Sequence, residues 1–400
     1  MRGKKGRHMN DRKSTVLPTE IRELLPELIA WRRDFHSRPE MGYEEHRTAG
    51  LVAQRLRAFG VDEVAEGIGR TGVVGIIRNG GGPTVGLRAD MDALPITEVS
   101  GRPHRSAIDG MMHACGHDGH TTMLLGAAYY LARTRRFSGT VVLIFQPAEE
   151  GKAGAKAMLD EGLLDRFPCD AIYGLHNVPG LPAGQIAVSP GAVMAAIDSF
   201  EIRITGKGGH AALPHLNRDP VVAAASLIMS AQSVVSRNRD PNHAAVLSVT
   251  RLVAGEADNA TPDTATLKGS VRFLEVGDGA QIEADLARIV RGTAETFGVQ
   301  AELLYTVGRP QTVNHEREAN VARRAAESLT SCVSVAARQV PLLASEDFSY
   351  FLQARPGAFA FLGAGEKSPA LHTAHYDFND DLLGPGAAFL SRVAEAELSR

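Results

Sequence analysis

Cysteine is scarce in this chain: Cys115, Cys169 and Cys332 are the three in 400 residues, and they lie far apart. An odd, scattered set is no disulfide framework, and it points to a reducing compartment, the cytoplasm. Long apolar runs are missing as well. No stretch approaches the roughly 18 residues that cross a bilayer, which argues against a helical membrane protein. No apolar segment follows the basic start (Arg2, Lys4, Lys5, Arg7, Arg12, Lys13), so that start reads as a disordered tail rather than a secretory signal. Charge of one sign is not in excess either. Lysine and arginine number 43 against 46 acidic residues, a net charge of −3, which gives no electrostatic case for nucleic acid or an anionic membrane surface. Internal repeats and low-complexity segments are absent. What remains, 44% apolar and 22% charged residues over 400 positions, is an ordinary globular composition long enough for two domains.

The first helix is predicted from Ile21, Leu24, Leu25, Leu28, Ile29 and Phe35, which follow the 3-and-4 spacing of one buried face, with Pro39 beyond its end. A second covers Leu51, Val52, Leu56 and Phe59 and stops at Gly60. Short β-rich runs follow at Gly72–Arg78 and Thr84–Ala89. From Asp118 the pattern alternates: helix (Leu124, Leu125, Ala128, Leu131), strand Val141–Phe145, helix Ala153–Leu163, strand Ala171–Leu175. Alternation of this kind means an α/β domain whose sheet is mostly parallel, with helices on both faces, and such sheets take ligands at the carboxyl ends of their strands. Between 194 and 307 the order becomes βαββαβ: Ser199–Thr205, Pro220–Ser236, Ala245–Val253, Thr264–Leu274, Asp278–Phe297, Val299–Val307. That is the ferredoxin-like α+β arrangement. Asp278 stands where an N-cap would, with Gln281 three residues on, and Gly298 is the stop. The expected organisation is a discontinuous domain of residues 1–193 and 308–400 carrying an inserted domain of residues 194–307.

Metal-binding side chains are densest in His113-Ala-Cys115-Gly-His117-Asp118-Gly-His120. In an extended segment His113, Cys115 and His117 share one face, and Asp118 is placed to cap the next helix. Thiolate with imidazole suits borderline-soft transition metals. Directly after an apolar strand comes Gln146-Pro147-Ala148-Glu149-Glu150-Gly151. Two adjacent carboxylates raise each other's pKa, and a divalent cation relieves that repulsion. One can then coordinate while the other serves as a base toward water. His176 ends another apolar strand, and His372 and His375 lie in a polar loop before a C-terminal helix. A catalytic zinc usually takes three protein ligands and one water. Cys115, His117, Glu150, His176 and His372 make five donors, too many for one such site but right for two metals that share a ligand. A thiolate is a reasonable bridge, though spacing does not assign it.

With these residues in hand, the chain resembles the M20 metallopeptidase family, specifically the amidohydrolase branch of hippurate hydrolases, N-acyl-amino-acid amidohydrolases and auxin-conjugate hydrolases. The matching segments run in order from about residue 32 to 381: Arg32–His36 with Pro39-Glu40, Leu87–Pro95, His113–Thr122, Gln146–Gly151, Gly174–Asn177, Gly206–His210, Ser345–Phe348 and Tyr376–Asp381. The resemblance implies a di-metal hydrolase of linear amide bonds, with Cys115, His117, Glu150, His176 and His372 as ligands and Glu149 as general base. Asp90 or Asp92 would orient a ligand from behind. Cys115 near the bridging position marks the amidohydrolase branch, since peptidase relatives use aspartate there. The resemblance further implies that the inserted domain is a lid and dimerisation domain, in a homodimer or tetramer. His210 would reach a substrate oxygen, often from a partner subunit, as an oxyanion donor, and Asn259 and Arg272 would hold the substrate carboxylate. The Asn259 segment departs from the family pattern at Ala260 and Thr261, and Lys152 stands where small or apolar residues are usual.

The expected activity is hydrolysis of small N-acyl amino acids with two divalent ions (Mn, Zn, Co or Ni). The rivals are an M20-type dipeptidase or carboxypeptidase, a metal-free thiol hydrolase built on Cys115, and a non-catalytic binding protein. The thiol reading leaves Glu149, Glu150, His176 and His372 unexplained, and a retained Glu149 argues against mere binding.

Overall fold

The structure, a computed structural model, describes residues 17–329 and 333–399; the basic run of residues 1–13 and Cys332 lie outside the described residues. The chain divides into two compact units. One takes in the chain up to Gly191, Val313–Val340 and the chain from Asp347 onward; the other is Ala192–Thr312 with Pro341–Glu346. The inserted unit therefore extends a few residues past both ends of the 194–307 expected from the sequence, and it gains a short return segment.

The larger unit is built on an eight-stranded sheet. Its strands are β1 (Glu63–Ile68), β2 (Gly72–Asn79), β3 (Thr84–Asp90), β4 (Gly139–Gln146), β5 (Ala171–Pro179), β6 (Gln185–Ala187), β7 (Ser334–Val335) and β8 (Gly357–Gly365), in the order β1-β2-β4-β3-β5-β8-β6-β7. The four central strands β4, β3, β5 and β8 are parallel, and β2 and β6 run against them. The fold class read from the sequence holds. Strand β4 is buried almost throughout, as a strand covered on both faces must be.

Helix α1 (Thr19–Ser37) buries Ile21, Leu24, Leu28 and Phe35, but its inner face also carries Arg32 and His36. A buried guanidinium is tolerable only when paired. Arg32 Nε lies 3.0 Å from Asp118 Oδ2, and its other nitrogens reach Asp377 and, at 3.4 Å, Asp380. His36 Nδ1 is 2.8 Å from the same Asp118 oxygen, while its Nε2 is 3.3 Å from Glu98. Helix α2 (His46–Phe59) stops at Gly60, in the left-handed region at φ 79°, as expected. Helix α3 runs His117–Thr134, so Asp118 lies inside its first turn rather than at the N-cap; its Oδ1 accepts the Gly119 N–H, and its Oδ2 is given over to Arg32 and His36. Gly116, at φ 98°, turns the chain into α3, where a Cβ would collide with the Asn177 and Tyr376 side chains. The helix expected over Ala153–Leu163 starts after Ala153, at φ 54°, and is broken into Gly154–Asp160 and Leu163–Arg166 at Gly162, at φ 82°.

In the inserted unit the strands Ala196–Thr205, Ala245–Ala254, Thr264–Phe273 and Gln300–Arg309 form an antiparallel sheet. Numbered along the chain, their spatial order is 2-3-1-4, the ferredoxin-like topology. Its helices, Pro220–Ser236 and Asp278–Phe297, close a separate apolar core around Phe200, Ile202, Leu227, Leu267, Ile282 and Leu286. Asp278 is the first helical residue and not the N-cap, because its carboxylate pairs with Arg239. Among the described residues no helix is long and apolar enough to cross a membrane.

Burial would depress His36, but hydrogen bonds with Asp118 and Glu98 outweigh it and raise its pKa from 6.5 to about 9. A raised pKa means stabilisation present in full below about pH 6.5 and lost as pH climbs through about 9. Tm of the wild type is expected to fall over that interval. Tm of His36→Gln should change less, and an equal fall in the variant would assign the loss to another group.

Candidate metal centre

The parallel strands deliver their functional residues at their carboxyl ends. Asp90 ends β3 opposite Gln146, which ends β4, and His176 lies near the end of β5. Cys115 and His117 sit at the turn into α3, and His372 approaches from the loop before the C-terminal helix, where its backbone N–H donates to Ala114 O at 2.8 Å.

These segments converge. Cys115, His117 and His176 offer donor atoms within 4.8 Å of one another, and so do Cys115, Glu150 and His372, and again His117, Glu149 and Glu150. The structure thus brings together all five donors picked from the sequence, with Cys115 Sγ shared by two three-donor groups. Cys115 Sγ is 3.4 Å from His176 Nε2, and His372 Nε2 is 3.1 Å from Glu150 Oε1. His120 offers a donor within 4.8 Å of Asp90 and His117, whereas His113 and His375 stand apart. His113 packs against the His36 ring, 6.4 Å between centroids. His375 is exposed and joins none of these groups.

The donors fit a cation. His117 Nδ1 faces Asp92 Oδ1 at 3.1 Å, and its buried Nε2 has no hydrogen-bond partner among the described residues. His176 donates Nδ1–H to Asn177 O at 2.7 Å, which leaves Nε2 as the bare nitrogen. A ring held from behind by a carboxylate or carbonyl, with its other nitrogen aimed at other donors, is the usual posture of a metal-ligating histidine. Burial, together with neighbouring His120, holds His176 neutral, its pKa brought down to about 3. Burial also drives the Cys115 thiol well above its ordinary value. A cation beside it would favour the thiolate.

Of the two aspartates, Asp92 touches the donors directly. Its Oδ2 accepts the Glu150 N–H at 2.9 Å while Oδ1 orients His117. Asp90 hydrogen-bonds Arg88 at 2.8 Å and His120 Nδ1 at 2.7 Å, and its Oδ2 lies 3.7 Å from His117 Nε2. Glu149 is buried, and its Oε1 accepts the Asp347 N–H at 3.3 Å.

Sequence reasoning passed over several supporting groups. His120 Nε2 meets Asn177 Oδ1 at 2.6 Å, and Asn177 donates Nδ2–H to Tyr376 OH at 2.7 Å. Asp347 accepts from Gln146 and from the Ala155 N–H. Glu45 accepts the Ala148 N–H at 2.8 Å. Glu45 reads in sequence as one of two acids just before a helix, and nothing local marks it out.

Three further candidates lie in the inserted unit. His210 is exposed on a short strand paired with Ala260–Thr261, and its Nδ1 accepts the Ala212 N–H at 3.1 Å. Asn259 is exposed beside it, its carbonyl accepting the Ala211 N–H. Arg272 lies on an inner strand and donates Nη1–H to Leu343 O at 2.9 Å, so it is not a loose charge on a sheet edge.

Comparison with known proteins gives one family. The profile of the peptidase family M20/M25/M40 matches residues 86–396. The chain is 43% identical to a hippurate hydrolase of Campylobacter jejuni over 94% of its length and 97% of that protein's. It is 41% identical to the IAA-amino acid hydrolase ILR1-like 2 of Arabidopsis thaliana, covering 92% of this chain and 85% of that one. Among solved structures it is similar to the Bacillus subtilis YXEP protein, described as a dinuclear metal-binding M20-family peptidase. The TM-score there is 0.83 at 34% identity, over 94% of this chain and 99% of the other.

Metal analysis of the purified protein is expected to give two equivalents per chain. Chelation should lower Tm, because a ligand bound only to the folded state stabilises it. His176→Ala should leave fewer than two equivalents; two full equivalents in that variant would remove His176 from the ligand set.

Proposed function

This chain belongs to the peptidase family M20/M25/M40, and on that premise we propose that it is an amidohydrolase cleaving the amide bond of N-acyl amino acids, hippurate-like or acetyl conjugates among them. One observation carries the reading: Cys115 Sγ sits between a His117–His176 pair and a Glu150–His372 pair, with the Glu149 carboxylate beside them. A thiolate in the shared position is the mark of the amidohydrolase branch, and similarity to a hippurate hydrolase and an IAA-amino acid hydrolase supports the same substrate class.

Cys115, His117, Glu150, His176 and His372 would hold two divalent ions, which when bound supply the positive charge that acidifies water and polarises the amide carbonyl. The mixed sulfur, nitrogen and oxygen donors suit Zn, Mn, Co or Ni. Glu149 takes the proton of the attacking water and returns it to the amide nitrogen as the C–N bond breaks. The rest of the chemistry is positioning. Asp92 fixes the His117 ring and the Glu150 backbone together, and the Asp347 N–H steadies Glu149. We assign His210, its Nδ1 occupied by the Ala212 N–H, to the developing oxyanion through Nε2–H. Arg272 and Asn259 are assigned to the substrate carboxylate, for which a guanidinium fork is well shaped.

A homodimer belongs to the same proposal, with the inserted unit as its lid and interface. Val222 and Met229, seven residues apart on the helix Pro220–Ser236, are 51% and 73% exposed, and Leu252 and Val253 are half exposed on the edge strand Ala245–Ala254. Light scattering should return the mass of two chains, or four, and the mass of one chain would count against the proposal. The sparse cysteines support a cytoplasmic location for the enzyme.

Glu149→Gln is expected to abolish turnover of N-benzoylglycine and N-acetyl amino acids at unchanged metal content, and His210→Ala to lower kcat at unchanged Tm. Loss of metal with activity in Glu149→Gln would make Glu149 a ligand instead of the base.

A further inference from the structure

Glu149 and Glu150 sit in a turn that the chain does not adopt readily. Ala148 precedes them at φ 53° and Ala153 follows the turn at φ 54°, both in the left-handed region although neither is glycine. Each such residue costs about 1–2 kcal/mol unless its surroundings hold it there. Contacts at Ala148 and at Lys152 come from one short segment, Gly42–Glu45, just ahead of α2. Glu45 is fully buried; one carboxylate oxygen accepts the Ala148 N–H at 2.8 Å and the other accepts the Thr71 hydroxyl at 2.5 Å. The Gly42 backbone lies against Ala148 so closely that a Cβ there would come within 2.9 Å of Ala148 Cα. On the outer side Tyr43 OH donates to Lys152 O at 2.9 Å, and Lys152 Nζ donates to Gly42 O at 2.7 Å. Tyr43 is itself held at φ 69°. Inner and outer ties therefore grip the turn at its first and last residues, 148 and 152, with the two glutamates between. The same contacts account for Lys152, unexpected at its place in the sequence, because its side chain fastens the turn to the segment opposite.

We propose that Gly42–Glu45 is a clamp on the Glu149 turn and that Glu45 is a positioning residue, holding the Ala148 peptide so that the Glu149 carboxylate stays aimed at the reacting water. The clamp stands on the contacts above, and its effect on turnover rests on Glu149 being the general base. Glu45 touches no substrate in this scheme. It acts through one backbone N–H, and a displacement of about 1 Å in a catalytic group can cost on the order of a hundredfold in rate.

The test uses the metal-loaded, full-length enzyme with N-benzoylglycine as substrate, alongside hydrogen–deuterium exchange. In Glu45→Ala the peptide containing the Ala148 amide should exchange at least about tenfold faster while the central strands exchange as before. Metal content and Tm should stay near wild type, with kcat down by about tenfold to a hundredfold and KM within about threefold. Glu45→Gln, whose amide oxygen still accepts the Ala148 N–H, should restore most of kcat and the slow exchange. Unchanged exchange at Ala148 would overturn the clamp. Loss of metal or of Tm in step with kcat would overturn the positioning role and make Glu45 a plain structural residue. Wild-type kcat in Glu45→Ala beside an inactive Glu149→Gln would also overturn positioning while leaving the base intact. An active Glu149→Gln would instead sink the base, and the exchange data would still judge the clamp. If Glu45→Ala does not fold, Tyr43→Phe, which cuts an outer tie at a half-buried residue, carries the same expectation of faster exchange and lower kcat, and wild-type values there overturn the clamp.

Discussion

Gathering a thiol, three imidazoles and two carboxylates in one place, most of them buried, is electrostatically expensive, since each group loses its water and the acids repel one another. The arrangement persists in part because three of these groups are held from behind by partners. Asp92 holds His117, the Asn177 carbonyl holds His176, and the Asp347 N–H meets Glu149. Such a constellation suits a shared positive charge, and the buried Nε2 of His117, which has no hydrogen-bond partner among the described residues, is the plainest sign of it. The rest of the larger unit can be understood as scaffolding for this requirement.

That scaffolding has an inner and an outer part. Beneath the donors, Arg88, fully buried, pairs with Asp90 and Asp347, which in turn bind His120, Gln146 and the Ala155 backbone. Behind α3, Arg32 and His36 converge on Asp118, one residue from His117. Removing one partner from such a buried pair leaves a lone charge, so these networks tolerate little change. The turn bearing Glu149 and Glu150 is held by different means, through side-chain bonds to the backbone that tie Ala148 and Lys152 to Gly42–Glu45.

The sheet was readable because apolar runs such as Val141–Phe145 and Ala171–Leu175 are marked by local composition, and strand–helix alternation implies parallel pairing. The helix starts at Asp118 and Asp278 were misread for a common reason. Each aspartate looks like a local cap, yet each turns a carboxylate oxygen to a cation distant in sequence, Arg32 in one case and Arg239 in the other. The break in the helix expected over Ala153–Leu163 falls at Glu161-Gly162, where Gly162 stands at φ 82°, a conformation that glycine permits and that apolar spacing alone does not reveal.

The identity of the five donors, the strand ends that carry them and the split-βαβ order of the insert were all determined by the sequence, since residue type, periodicity and spacing are local properties. Tertiary structure alone decided that Cys115 Sγ is common to two donor groups, that Asp92 hydrogen-bonds both His117 and the Glu150 backbone, and that Glu45 reaches Ala148. Those relations depend on side chains brought together by strand register and packing across long stretches of chain, and no local pattern encodes distances between residues so far apart.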